Sequence, residues 1–229
     1  MSKTRTFFTL PILILALIAI TMLTGCGKDD PVTLPYSTGE DEEQGLEISA
    51  LYTFSGPNPD CNNEEGEDIA ALTVTNNSGN FYDKVKITVV MADESEYNFK
   101  IDAFPDGKTA ELFDIDNKSY VEKDDDGNKI EIAAINHEEG IDDDAGLMED
   151  QLTVKVKDNE TVVKIKNQSD KDMDKLVMYC HTVFDDSYFG GVAYKYSVGD
   201  IKAGKKAKVD AEDCMFGTAE VVKIEQESN

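Results

Sequence analysis

The sequence predicts an all-β fold, and three observations carry that expectation. Apolar and polar residues alternate over short runs, as in Val85-Lys86-Ile87-Thr88-Val89. A period of two places one set of side chains on a single buried sheet face. Turn signals separate the runs: Asn77-Ser78-Gly79, Asp106-Gly107 and Asp170–Asp172. The third observation is a long-range echo. With an offset of 91, Asn76 and Ser78 fall on Asn167 and Ser169, Asp83-Lys84-Val85 on Asp174-Lys175-Leu176, and Tyr97 on Tyr188. With an offset of 97, "FPDGKTAEL" (104–112) falls on "IKAGKKAKV" (201–209). Self-similarity on this scale means two copies of one structural unit. The second copy has gained about six residues, which the change of offset puts near Gly190-Gly191.

The first element is not a strand. Lys3 and Arg5 are the only charges before residue 28, and Phe7 to Leu23 is apolar except for Thr9, Pro11 and Thr21. A charged start, an apolar run and small residues read as a secretory signal. The run is short for a membrane-spanning helix, which needs ~20 apolar residues. It ends in Leu23-Thr24-Gly25-Cys26, which resembles the bacterial lipoprotein signal. That resemblance implies cleavage before Cys26, a thioether-linked lipid on its sulfur and an acylated new amino terminus. Residues 1–25 are then the signal peptide. The rest is moored to a bilayer by acyl chains, each contributing ~0.8 kcal/mol per buried methylene. Lys3 and Arg5 hold the start inside, so the mature chain faces outward, extracellular or periplasmic.

Residues 26–44 follow as an acidic tether, poor in apolar periodicity. Extended, about 18 residues reach ~60 Å. The first repeat copy, residues 45–140, supplies strands at Ile69–Asn76, Val85–Val89, Tyr97–Ala103 and Thr109–Phe113. Asp126-Gly127, between "SYVEK" and "KIEIAAI", reads as a two-residue hairpin turn. The charged stretch 136–149, "NHEEGIDDDAGLME", reads as the inter-domain linker. The second copy, residues 141–229, supplies Leu152–Lys157, Thr161–Asn167, Leu176–Cys180, Val192–Val198, Ala207–Ala211 and Ala219–Glu225. A period near 95 residues matches an immunoglobulin-like sandwich of ~100 residues. The expected architecture is therefore two tandem immunoglobulin-like β-sandwich domains after a signal peptide and a flexible tether.

The pattern across residues 46–227 resembles the FxLYD modules, small immunoglobulin-like units of bacterial surface proteins, often lipoproteins. His181-Thr182-Val183-Phe184-Asp185 approximates their motif in the second copy. Val89-Val90-Met91-Ala92-Asp93 in the first departs from it at the first and fourth positions. The resemblance implies a β-sandwich at a cell surface and supplies no catalytic residue.

Composition narrows the function further. Removing the signal takes two positive charges away, so the formal charge of −25 becomes −27. That repels nucleic acid and anionic membranes. Neither of the two histidines, His137 and His181, sits in a catalytic motif, and no GxSxG occurs. The expectation is a non-catalytic binding or spacer protein of the bacterial envelope, with the lipid bilayer and an unknown envelope protein or ligand as partners. The alternative is a calcium-dependent adhesive or ligand-binding module, with an accessory enzyme as a more distant third. Calcium would use Asp124 and Asp126, in "EKDDDGNKIEIA", or Asp142, Asp143 and Asp144. The first group lacks the bidentate glutamate of an EF-hand, because its twelfth position is Ala133. Cys61, Cys180 and Cys214 remain after Cys26, with no CxxC. Cys180 and Cys214 are open to a disulfide, or Cys180 is simply a small core residue like Val89. On the strand of Cys180, the residues Val177, Tyr179, His181 and Val183 point away from the expected core. They form a candidate partner or inter-domain patch, unless the loop 185–191 covers them.

Overall fold

Alternation produces strands in both copies. Val85, Ile87 and Val89 are at most 1% exposed, and so are Leu176, Met178 and Cys180 at the aligned positions. Each such valine, isoleucine, leucine or methionine side chain contributes ~1.5–3 kcal/mol on burial. A computed structural model describes residues 31–39, 45–61, 65–156, 161–214 and 216–227. The expected signal peptide and Cys26 lie outside the described residues. Those described form fourteen strands and one short 3-10 turn, Pro59–Cys61, with no α-helix.

Two sets of six strands repeat one pairing order. In the first, β2 (Leu46–Pro57), β3 (Glu65–Asn76) and β6 (Thr109–Phe113) make one antiparallel sheet with β3 central. There β4 (Tyr82–Met91) lies between β5 (Glu96–Phe104) and β7 (Ile132–Ile141) in a second sheet. In the second set, β9 (Val162–Asn167) lies between β8 (Leu152–Val156) and β13 (Lys206–Asp210). Likewise β10 (Met173–Phe184) lies between β12 (Tyr194–Ile201) and β14 (Thr218–Gln226). Register repeats too: Tyr82 pairs Phe104 and Met173 pairs Ile201, which are the same two offsets. Each set closes on its own apolar cluster, one around Leu72, Ile87 and Phe99 and the other around Ile165, Met178 and Ile224.

The echoed asparagines organise both copies. Asn76 Nδ2 donates to Asn80 O (2.9 Å) and Phe104 O (3.0 Å), while its Oδ1 accepts from Ser78 N (3.1 Å) and Ser78 Oγ (2.7 Å). Asn167 Nδ2 donates to Lys171 O (2.7 Å) and Ile201 O (2.9 Å), and its Oδ1 accepts from Ser169 N (3.0 Å) and Ser169 Oγ (2.7 Å). Each amide ties the end of one strand to its facing sheet. Both are wholly buried, and a buried amide is tolerable only when satisfied in this way.

Three expectations change. Residues 31–39 do not hang free as tether. Val32 N donates to Ile132 O (2.8 Å), and β1 (Tyr36–Ser37) pairs β2. The reason is legible afterwards: Val32, Leu34 and Tyr36 alternate and pack on the first cluster. Residues 136–141, expected in the linker, are strand, because β7 pairs β4 as far as Ile141 opposite Tyr82. The Asp126-Gly127 turn is present, yet it closes a single bridge, Lys123 to Lys129, rather than a strand ladder.

The sets do not stand apart. The strand β11 (Ser187–Phe189), with no counterpart in the first copy, pairs β10 on one side and runs parallel to β6 on the other. One continuous sheet therefore passes from the first set into the second, and the chain from Pro31 on is one compact unit.

Candidate functional site

The seam between the two sets is lined by polar groups, among them the buried His181 and the half-buried Asp60. Its architect is the six-residue gain of the second copy. β10 turns back through Asp185 and Asp186, whose φ values of 46° and 64° are both left-handed. Two such residues make a tight hairpin turn, and aspartate adopts this region more readily than most side chains. β11 then delivers Gly190 and Gly191 against the first set. Gly190 N donates to Glu111 O (2.9 Å), and Asp102 N donates to Gly191 O (2.9 Å). A Cβ on Gly191 would lie 1.8 Å from Lys100 O, so the backbones touch where no side chain fits.

Asp60 receives this segment. Its carboxylate accepts from Gly191 N (2.8 and 3.1 Å) and Val192 N (3.1 Å). Burial raises its pKa above the ordinary aspartate value, and the amide hydrogen bonds pull it part of the way back. Next to it, Tyr194 OH donates to Pro59 O (3.0 Å).

His181 enters from β10. Its Nε2 lies 2.8 Å from Asp102 O and 3.2 Å from Ala103 O. Both partners are acceptors, so Nε2 carries the proton and donates. The ring stacks on Tyr188 at 4.3 Å between centroids and 14° between planes. Tyr188 OH donates to Glu220 (2.8 Å), and Lys108 pairs the same carboxylate at 2.7 Å. Burial lowers the His181 pKa to about 4, with the two carbonyls opposing.

Of the four residues in the expected patch, Val177 is 4% exposed, His181 is 1% exposed, and Tyr179 and Val183 are half-buried. Tyr179 and Val183 pack on the first cluster. Tyr179, His181 and Val183 therefore face the other half of the molecule, and the 185–191 segment contributes Tyr188 as cover for His181. Behind it lies a cleft of about 210 Å³ lined by Asp83, Asp102, Ala103, Tyr179, Ala193 and Lys223. Its lysine is engaged: Lys223 pairs Asp142 (2.7 Å) and Glu225 (2.9 Å), and Glu225 accepts from Tyr179 OH (2.8 Å).

The calcium candidates do not converge. Asp124 caps its own turn, accepting from Asp126 N (3.0 Å) and Asn128 N (2.8 Å). Asp126 is exposed on that turn. Asp142 is held by Lys223, and Asp143 and Asp144 are exposed. Among the described residues no three acidic, histidine or cysteine side chains cluster as metal ligands. Cys180 and Cys214 are buried free thiols in the second cluster. Burial pushes Cys180 well above the ordinary thiol range and Cys214 up to about 11. Little thiolate forms at such values, which makes for a slow nucleophile.

Asp60, Tyr188 and Gly191 escaped the sequence reading as site residues. The signal for Gly191 was present, since the change of offset marked an insertion near Gly190-Gly191. The offset of 91 puts Tyr188 on Tyr97, whereas the register puts Tyr194 in that place and Tyr188 in the inserted strand. Nothing local marks Asp60, whose partners lie 131 and 132 residues away. No protein-family model matches the chain, and no curated protein matches it in sequence.

The seam predicts a pH dependence. The folded His181 value of about 4 lies below its ordinary 6.5, so folding disfavours the charged ring. Its contribution is complete above pH 6.5 and is lost as pH falls toward 4, by about 3 kcal/mol in all. Asp60 acts oppositely. Its raised value costs stability as pH climbs past 3.8, which offsets part of the histidine effect at the acid end. The melting temperature should fall between pH 7.5 and pH 5, and fall less in His181→Gln. An equal fall in both would remove His181 as the cause.

Proposed function

We propose that the chain is an outward-facing, lipid-anchored protein of the bacterial envelope. It is built of two tandem immunoglobulin-like sandwiches of the FxLYD kind and works by binding and spacing rather than by catalysis. The anchor reading rests on Leu23-Thr24-Gly25-Cys26 directly behind an apolar run. The non-catalytic reading rests on the seam, where Asp60, His181, Tyr188 and Lys223 are all engaged with groups of this same chain. A reaction centre needs a nucleophile, acid or base free to meet a substrate. Groups spent on one another instead make two modules behave as one stiff body. Stiffness suits a spacer, because a rigid joint holds a surface at a set angle and distance.

The test is metabolic labelling of the full chain with an alkyne analogue of palmitate in a bacterial host. The wild type should carry the label and sediment with membranes. Cys26→Ala should lose the label and appear in the soluble fraction. Equal labelling of both would refute the anchor.

A further inference from the structure

The outer face of the continuous sheet carries four phenylalanines, joined by Phe216 from the turn before β14, that the repeat does not explain. Phe189 is their hub, with ring centroids 5.3 Å from Phe113, 5.8 Å from Phe54, 5.9 Å from Phe184 and 6.3 Å from Phe216. Phe113 is buried, and Phe54, Phe189 and Phe216 are half-buried. Phe184 is 53% exposed at the end of β10. Its counterpart in the first copy, at the offset of 91, is Asp93, an exposed residue that caps its own turn. The unit therefore folds without an aromatic ring there, and the second copy holds one toward solvent.

The rim of this surface is acidic and uncompensated. Asp185 and Asp186 follow Phe184 and are exposed. Glu111 lies opposite Phe189 in the β6–β11 ladder and accepts from Tyr52 OH. Asp68, beside the buried Ile69, accepts from Ser55 Oγ (2.7 Å). Among the described residues none of these four carboxylates pairs a lysine or histidine. An apolar centre within a ring of one sign is the anatomy of a docking site, with ring faces anchoring and charge steering. The sign selects the occupant. A second copy of this chain, at a formal −25, and an anionic lipid surface are both repelled. A lysine or arginine side chain gains from the carboxylates and from the aromatic faces.

We propose that the Phe184 surface docks a protein segment in which lysine or arginine alternates with large apolar side chains. The proposal rests on the reading of this chain as a non-catalytic binding protein and gives that reading its surface and partner chemistry.

The probe is a short synthetic peptide of alternating lysine and leucine, titrated calorimetrically into the chain from Pro31 onward, the compact unit that keeps β1 on β2. Peptides with serine in place of leucine, or glutamate in place of lysine, serve as comparisons. The lysine–leucine peptide should bind saturably and at least tenfold more tightly than either. Phe184→Ser should weaken it at least tenfold. So should the double change Asp185→Asn with Asp186→Asn, because asparagine keeps the left-handed turn while removing the charge. Asp125→Asn with Asp126→Asn, on a different turn, should leave binding unchanged. Equal binding by all variants, no preference for leucine over serine, or no binding at all would each overturn the proposal. None of these outcomes touches the palmitate label, so a failed docking site and a failed anchor are told apart.

Discussion

Asn167→Ala is expected to destabilise the protein by about 3 kcal/mol, lowering Tm by roughly 10 °C in a unit of this size. The amide makes four hydrogen bonds at 2.7–3.0 Å from a fully buried position. Alanine removes them all and leaves Ile201 O facing an apolar interior. A buried group stripped of its partner costs about 1–3 kcal/mol, more than the ~1 kcal/mol a typical hydrogen bond nets. Asn76→Ala should cost about the same, since its four bonds lie at 2.7–3.1 Å on equivalent groups. Thermal or urea melts of both variants give the comparison. A loss below about 1 kcal/mol at either site would mean that the amide is dispensable. Asn167→Asp should be worse still near neutral pH, because a carboxylate would face the carbonyl oxygens of Lys171 and Ile201.

Gly191→Ala should break the seam while sparing both apolar clusters. The new Cβ would meet Lys100 O at 1.8 Å, Lys100 C at 2.9 Å and Ile101 Cα at 3.3 Å. These are backbone atoms of β5, so no rotamer relieves the clash. The cost should reach ~3 kcal/mol or more, as for overpacking a site that cannot yield. The β11 segment would have to retreat, and the amides of Asp102, Gly191 and Val192 would lose their acceptors. Hydrogen exchange should therefore quicken at those three amides and stay slow on Asn76 and Asn167. Gly146→Ala, where an added Cβ meets nothing within 4 Å, is the matched control. Unchanged exchange at Asp102 and Val192 in Gly191→Ala would show that the contact does not hold the halves together.

Much of the scaffold was legible because sheet formation writes its period into the chain. Val85-Lys86-Ile87-Thr88-Val89 names its inward face by alternation alone, and Leu176, Met178 and Cys180 follow by offset. The echoed Asn-x-Ser could be found by comparison, although its meaning could not. That each asparagine caps a strand end by bonding one carbonyl four residues on and another in the facing sheet is visible only when Phe104 and Ile201 are in place. Other signals were outvoted by composition. The charge of 136–141 hid β7, whose Glu138 and Glu139 sit on an edge strand, where carboxylates discourage further pairing. Prolines and acidic neighbours hid the alternation of Val32, Leu34 and Tyr36.

The strand repeat, the pairing frame and the place of the insertion are local or repeating properties, and each follows from residue order alone. The fate of the stripe at Val177, Tyr179, His181 and Val183 is different in kind. Alternation states that these side chains leave their own core, and it carries no information on what they meet next. That was settled when β11 reached β6 and Asp60 closed over Gly191. Those contacts join residues more than 75 positions apart, and local sequence does not encode how two distant surfaces fit.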